Sequence, residues 1–114
     1  MTLALGIVLG LAVLYIFFVA WARRRPRWVG YQGFWSPVIR AFTNHMQATT
    51  LWNWTFILNA GDALSPAGEK HEAVHVYQFA ANPYGFPFVY LWQLVRYGYQ
   101  NAPAEIAARA AESV

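Results

Sequence analysis

The chain has 114 residues, 58% of them hydrophobic and 11% charged, which suits one small domain and excludes a disordered or heavily charged polymer. Its formal charge of +3 has a local origin, because Arg23, Arg24, Arg25 and Arg27 fall within five positions while residues 28–114 carry four basic and five acidic side chains. That slightly acidic body offers no basic face to a phosphate backbone, so nucleic acid is excluded as a partner; the lack of cysteine excludes disulfides and thiolate chemistry.

Leu3 to Ala22 is an uncharged run of 20 residues, long enough as a helix to cross a hydrocarbon core of about 30 Å. Tyr15 and Trp21 have the amphipathic rings that favour the headgroup level, and the arginines follow at once. The positive-inside rule then puts residues 28–114 in the cytoplasm of a single-pass membrane protein, with lipid as a partner through residues 3–22. A cleaved signal peptide is the rival, since Ala20-Trp21-Ala22 has the small-x-small form. It is disfavoured because no basic residue precedes the run and positive charge follows it.

Residues 1–27 therefore read as a transmembrane anchor with a basic flank. Trp28 to Val38, with Trp28, Tyr31, Phe34, Trp35 and the nearby Phe42, lacks helical periodicity and reads as a loop, either at the membrane interface or tucked against the core. Residues 28–46 thus form an aromatic juxtamembrane linker, and residues 47–114 the domain.

Within the domain, Gln47 to Asn59 reads as a β-strand, with Thr50, Trp52, Trp54, Phe56 and Leu58 on one face. Ser65-Pro66 has the form of a helix start, and Asn82-Pro83 with Gly85 that of a stop near Ala81. Phe86 to Tyr99 is very apolar but short for a span and is read as a buried helix, with a re-entrant or membrane-resting segment as the alternative. Asn101-Ala102-Pro103 opens a last helix of good helix formers. The fold class expected is α+β and mostly helical.

The predicted helix after Ser65 contains His71-Glu72-Ala73-Val74-His75, an H-E-x-x-H arrangement. Histidines four apart share one helix face and can reach one metal ion, while Glu72, one residue round, can reach a water on that ion. A catalytic zinc usually keeps three protein ligands. His45, Asp62, Glu69, Glu105 and Glu112 are the candidates for the third, and Glu105 is favoured because thirty residues after His75 allow an intervening helix to fold back. Gln78, three residues beyond His75, is placed to touch it from behind. Tyr97, Tyr99 and His45 are candidate oxyanion donors.

The sequence His71-Glu72-x-x-His75-x-x-Gln78, then Tyr84-Gly85-Phe86-Pro87-Phe88, then Pro103-Ala104-Glu105-Ile106-Ala107-Ala108 resembles the minigluzincins and related small bacterial and phage domains over roughly residues 47–112. The resemblance implies a zincin-like domain with a strand before the metal helix, one zinc per chain, and Glu105 as the ligand from a second helix. It also implies hydrolysis of a peptide or protein substrate, with zinc acidifying a water and Glu72 as general base. Two departures stand out: Ala102 replaces the asparagine often found before the proline, and Arg109 occupies the place where larger gluzincins have an acid that orients a histidine. The alternative function is a non-catalytic subunit of a membrane or phage assembly that keeps zinc for stability and packs against other membrane proteins.

Overall fold

The computed structural model describes residues 2–42 and 47–114, and His45 lies outside them. Among the described residues the fold is α+β, with five helices and a three-stranded sheet. Helix α1 (Thr2–Ala22) is one candidate span by length and composition. Most of it stands exposed, yet Val19 and Ala22 are fully buried in a core with Trp52, Phe79, Phe86 and Ala104.

Two elements replace the expected juxtamembrane loop. Strand β1 (Trp28–Gly30) is followed by helix α2 (Trp35–Phe42). The helix has a local cause. The Gln32 side chain accepts from the backbone N–H groups of Phe34 and Trp35, and the Ser36 hydroxyl accepts from the Gln32 N–H at 2.9 Å, so side chains meet donors at the helix start.

The expected single strand is instead a hairpin of β2 (Ala48–Leu51) and β3 (Trp54–Ile57), with Leu51 opposite Trp54. The two-residue turn puts Trp52 at φ 52°, a left-handed conformation usually left to Gly, Asn or Asp. The buried indole holds it there, its Nε1–H donating to the Pro83 carbonyl at 2.8 Å. The turn also resets the faces. Thr50 and Thr55 are both buried, whereas Trp54 and Phe56 line an apolar groove with Phe18 and Trp21. The sheet order is β1-β3-β2, with β1 parallel and β2 antiparallel to β3. Asn53, the second turn residue, donates to the carbonyls of Arg23 (3.1 Å) and Arg25 (2.8 Å) and so fastens the end of α1 to the sheet.

Helix α3 (Pro66–Ala81) begins and ends where expected. The Ser65 hydroxyl accepts from the Gly68 N–H at 3.0 Å, and Asn82 is the C-terminal cap. Helix α4 (Phe86–Tyr97) forms as expected but is not buried: only Phe86 is enclosed, and Phe88, Leu91, Trp92 and Val95 are exposed. Helix α5 (Pro103–Ala111) starts at Ala102, which has no capping side chain. Gln93 of α4 supplies the missing acceptor, taking a bond from the Ala104 N–H at 2.9 Å.

Trp52→Ala should lower unfolding stability by about 3–5 kcal/mol, the usual result of truncating a large buried aromatic ring. Urea unfolding of the protein in detergent measures it, and a loss below about 1 kcal/mol would show that the indole does not hold the turn.

Candidate metal centre

Helices α3 and α5 pack side by side and bring three side chains to one point. His71 and His75 come from successive turns of α3, and Glu105 comes from the first turn of α5. Glu105 is 1% exposed. Its Oε1 lies 3.0 Å from His71 Nε2 and 3.1 Å from His75 Nε2, and its Oε2 lies 2.7 Å from His75 Nε2. One ligand atom from each residue falls within 4.8 Å of the others.

The far side of each imidazole is held as well. His71 Nδ1 lies 2.9 Å from Glu112 Oε2, and His75 Nδ1 lies 2.9 Å from Gln78 Oε1. The Gln78 amide then donates to the Ala104 carbonyl at 3.2 Å, bridging α3 to α5. With each Nδ1–H donated backwards, both Nε2 atoms face the common point, the tautomer a metal ligand needs. A tetrahedral ion with bonds of about 2.0–2.2 Å spaces its ligand atoms by about 3.4 Å. The contacts of 2.7–3.1 Å would widen by about 0.3–0.7 Å to reach that spacing. Two imidazoles and a carboxylate thus fit a divalent ion and leave a fourth position open.

Glu72 borders the same pocket as His75 and Glu105. The Thr50 hydroxyl donates to its Oε2 at 2.6 Å, and Thr50 in turn stands 2.7 Å from the Thr55 hydroxyl. Because Thr50 has one proton to give, Thr55 donates to Thr50 and the chain runs from the sheet to the carboxylate. The pocket has a volume of about 60 Å³. That is room enough to admit water.

The carboxyl groups are pushed in opposite directions. Burial raises Glu72 above the usual carboxylate range, with the Thr50 bond opposing it. Burial works the same way on Glu105, but its hydrogen bonds to His71 and His75 bring it down to about 2. The Glu105 bond lifts His71 to about 9 against the effect of burial. For His75 burial works downwards, and the bond and charge of Glu105 reverse it, so its value is also raised.

Of the residues singled out from sequence, His71, His75, Glu105, Glu72 and Gln78 meet here. Tyr99 joins them at the pocket wall, its hydroxyl pushed up to about 12 by burial and by the negative charge of Glu105. Tyr97 stands elsewhere, exposed, with its ring against Trp92 and beside the Arg96 guanidinium. Tyr90 and Thr50 come from outside that set, and Glu112, a candidate third ligand by sequence, serves in another place. The Tyr90 hydroxyl donates to Glu105 Oε2 at 3.0 Å, and the signal was its spacing, four residues after the enclosed Phe86. Glu112 takes the orienting position that Arg109 cannot fill; it is two turns beyond Glu105 and so on the same face. Thr50 reaches Glu72 because the hairpin turns it inward. Comparison with protein-family models, with curated proteins and with solved structures finds no match to the chain. The chemistry of the centre therefore follows from its own geometry.

In the metal-free protein, raised His71 stabilises the fold fully below about pH 6.5 and loses that contribution as pH rises to about 9. Lowered Glu105 contributes above about pH 4.5 and loses it as pH falls towards 2. Denaturation in chelator should accordingly show greatest stability from about pH 4.5 to 6.5, and a midpoint unchanged from pH 6 to 9 would contradict the His71–Glu105 pair. Glu112→Ala should weaken zinc binding by about 10–100-fold, the common effect of losing a ligand's orienting partner. A competitive chelator titration reads it, and an unchanged affinity removes Glu112 from the centre.

Proposed function

We propose that the chain is a membrane-anchored, zinc-dependent metallopeptidase of the minigluzincin kind, single-pass, with its body on the cytoplasmic side. The observation that carries this reading is the placing of Glu72, a buried carboxylate with raised proton affinity, at the wall of the pocket that holds His75 and Glu105. His71, His75 and Glu105 hold the ion. Zinc, when bound, acidifies a water and polarises a peptide carbonyl.

Glu72 takes the proton of the attacking water and returns it to the leaving amine. Burial raises its affinity for a proton, which favours that exchange, and the Thr50 bond fixes one oxygen so that the other serves the transfer. Tyr99, raised by burial first and by Glu105 second, stays protonated and is the donor available to a developing oxyanion, whereas the single Tyr90 proton is given to Glu105. Among the described residues β2 is an edge strand, and Ala48, Thr49 and Thr50 line the pocket. An extended peptide laid along that edge passes the metal centre, the mode by which strands are added to sheets.

A second reading, a zinc-stabilised structural or accessory subunit, draws support from the small pocket and from the three partners that Glu105 already has. Both readings expect about one zinc per chain, lost in Glu105→Ala. Glu72→Gln separates them, because it should keep the zinc and lose at least about 10²-fold in peptide cleavage. If the wild type in detergent cleaves nothing in a diverse peptide library that Glu72→Gln leaves intact, the enzyme reading fails and the structural one stands.

A further inference from the structure

Helix α4 carries an apolar stripe that the described residues leave mostly exposed. Phe88, Leu91, Trp92 and Val95 are spaced i, i+3, i+4 and i+7, which is one helix face. They are 63, 59, 58 and 81% exposed. The segment from Phe86 to Val95 has no charged residue, and the first charge is Arg96 at the end of the helix. A stripe of this size in water invites association.

The position of the stripe identifies what meets it. The Tyr15 hydroxyl donates to the Tyr84 carbonyl at 2.7 Å, and the Tyr15 ring packs edge-on against Phe88 with centroids 5.6 Å apart. Tyr15 precedes the end of α1 by seven residues, about 10 Å of helix rise. Where α1 spans a hydrocarbon core of about 30 Å, its full length is used and Tyr15 sits about 10 Å inside the arginine-flanked boundary. The start of α4 is pinned to that depth. Its outward stripe also continues the lipid-facing surface of α1, where Leu11, Leu14 and Phe18 are exposed.

We propose that the outer face of α4 is a second membrane contact, immersed in the same leaflet as the arginine-flanked end of α1 and covered by lipid. This rests on reading α1 as a span. The inner face of α4 lines the metal pocket with Phe86, Tyr90 and Leu94, so the pocket lies about one helix diameter, roughly 10 Å, from lipid. Polypeptide at or in the bilayer surface is then the substrate class within reach.

The chain has no cysteine, so single labels can be placed cleanly. Leu91→Cys and Val95→Cys, at exposed positions where a label displaces no packing, are spin-labelled in full-length protein in nanodiscs of phosphatidylcholine and phosphatidylglycerol. Leu9→Cys in α1 and Tyr77→Cys, 76% exposed on α3, are the references. Collision with oxygen, which partitions into lipid, is compared with collision with a water-soluble nickel chelate. The oxygen-to-nickel ratio at 91 and 95 should approach that at 9 and exceed that at 77 several-fold. If 91 and 95 match 77 while 9 reads as lipid, the α4 contact is wrong and the span stands. If 9 also matches 77, the span itself fails and takes the proposal with it. If 91 and 95 are shielded from both probes, protein covers the stripe, a second copy being the first candidate, and the lipid contact is overturned.

Discussion

A carboxylate taken fully out of water costs several kcal/mol unless charge and hydrogen bonds replace its hydration, and Glu105 is such a carboxylate. Its replacements come from two directions. His71 and His75 reach it from α3 and Tyr90 from α4, while its own carboxylate comes from α5. Moving any one of these elements leaves a buried charge short of a partner. The side chain therefore fixes how the three helices sit. Metal and proton compete for the same place, since the two Nε2 atoms that donate to Glu105 in the metal-free chain are those that would face an ion. The arrangement is poised for either occupant without rebuilding, because Glu112 and Gln78 hold the imidazoles from behind in both cases.

The second carboxylate is governed by the sheet. Glu72 lies close enough to Glu105 for the negative charge of one to disfavour ionisation of the other. The imidazoles settle which of the two keeps its charge. Glu105 holds both and is driven down, whereas Glu72 has a single neutral hydroxyl partner and is driven up by burial. Two carboxylates of one small site are thus pushed in opposite directions by their surroundings, Glu105 held anionic and Glu72 raised in proton affinity. Without the hairpin, Thr50 and Thr55 would not both face α3, and Glu72 would lose the bond that orients it.

Features set by neighbours in the chain were legible in the sequence. Ser65-Pro66 and Asn82-Pro83 bracket α3, Pro103 opens α5, and the spacing of His71 and His75 follows from helical geometry alone. Features set by partners far along the chain were not. Trp52 is a poor residue for a left-handed turn and conceals the hairpin, because its stability there depends on a carbonyl 31 residues away. Gln93 caps a helix to which it does not belong, and Glu112 does the work expected at position 109. The strand in 28–30 is three residues long and exists through pairing with β3, which no local pattern announces. For α4 the sequence reported that the segment avoids water, and the structure shows that the protein itself covers only one face of it.

That last distinction bears on what α1 is for. A body of 87 residues buries a smaller fraction of its surface than a larger domain and has little core to spare. Val19 and Ala22, on the last turns of α1, fill that core beside Trp52, Phe79, Phe86 and Ala104, and Asn53 of the hairpin holds the end of the helix. Cutting the chain after Ala22 would remove the buried Val19 and Ala22 side chains and the Tyr15 bond to Tyr84 together, exposing the aromatic rings that they cover. The packing thus makes the last two turns of α1 part of the core beside the α3–α5 site.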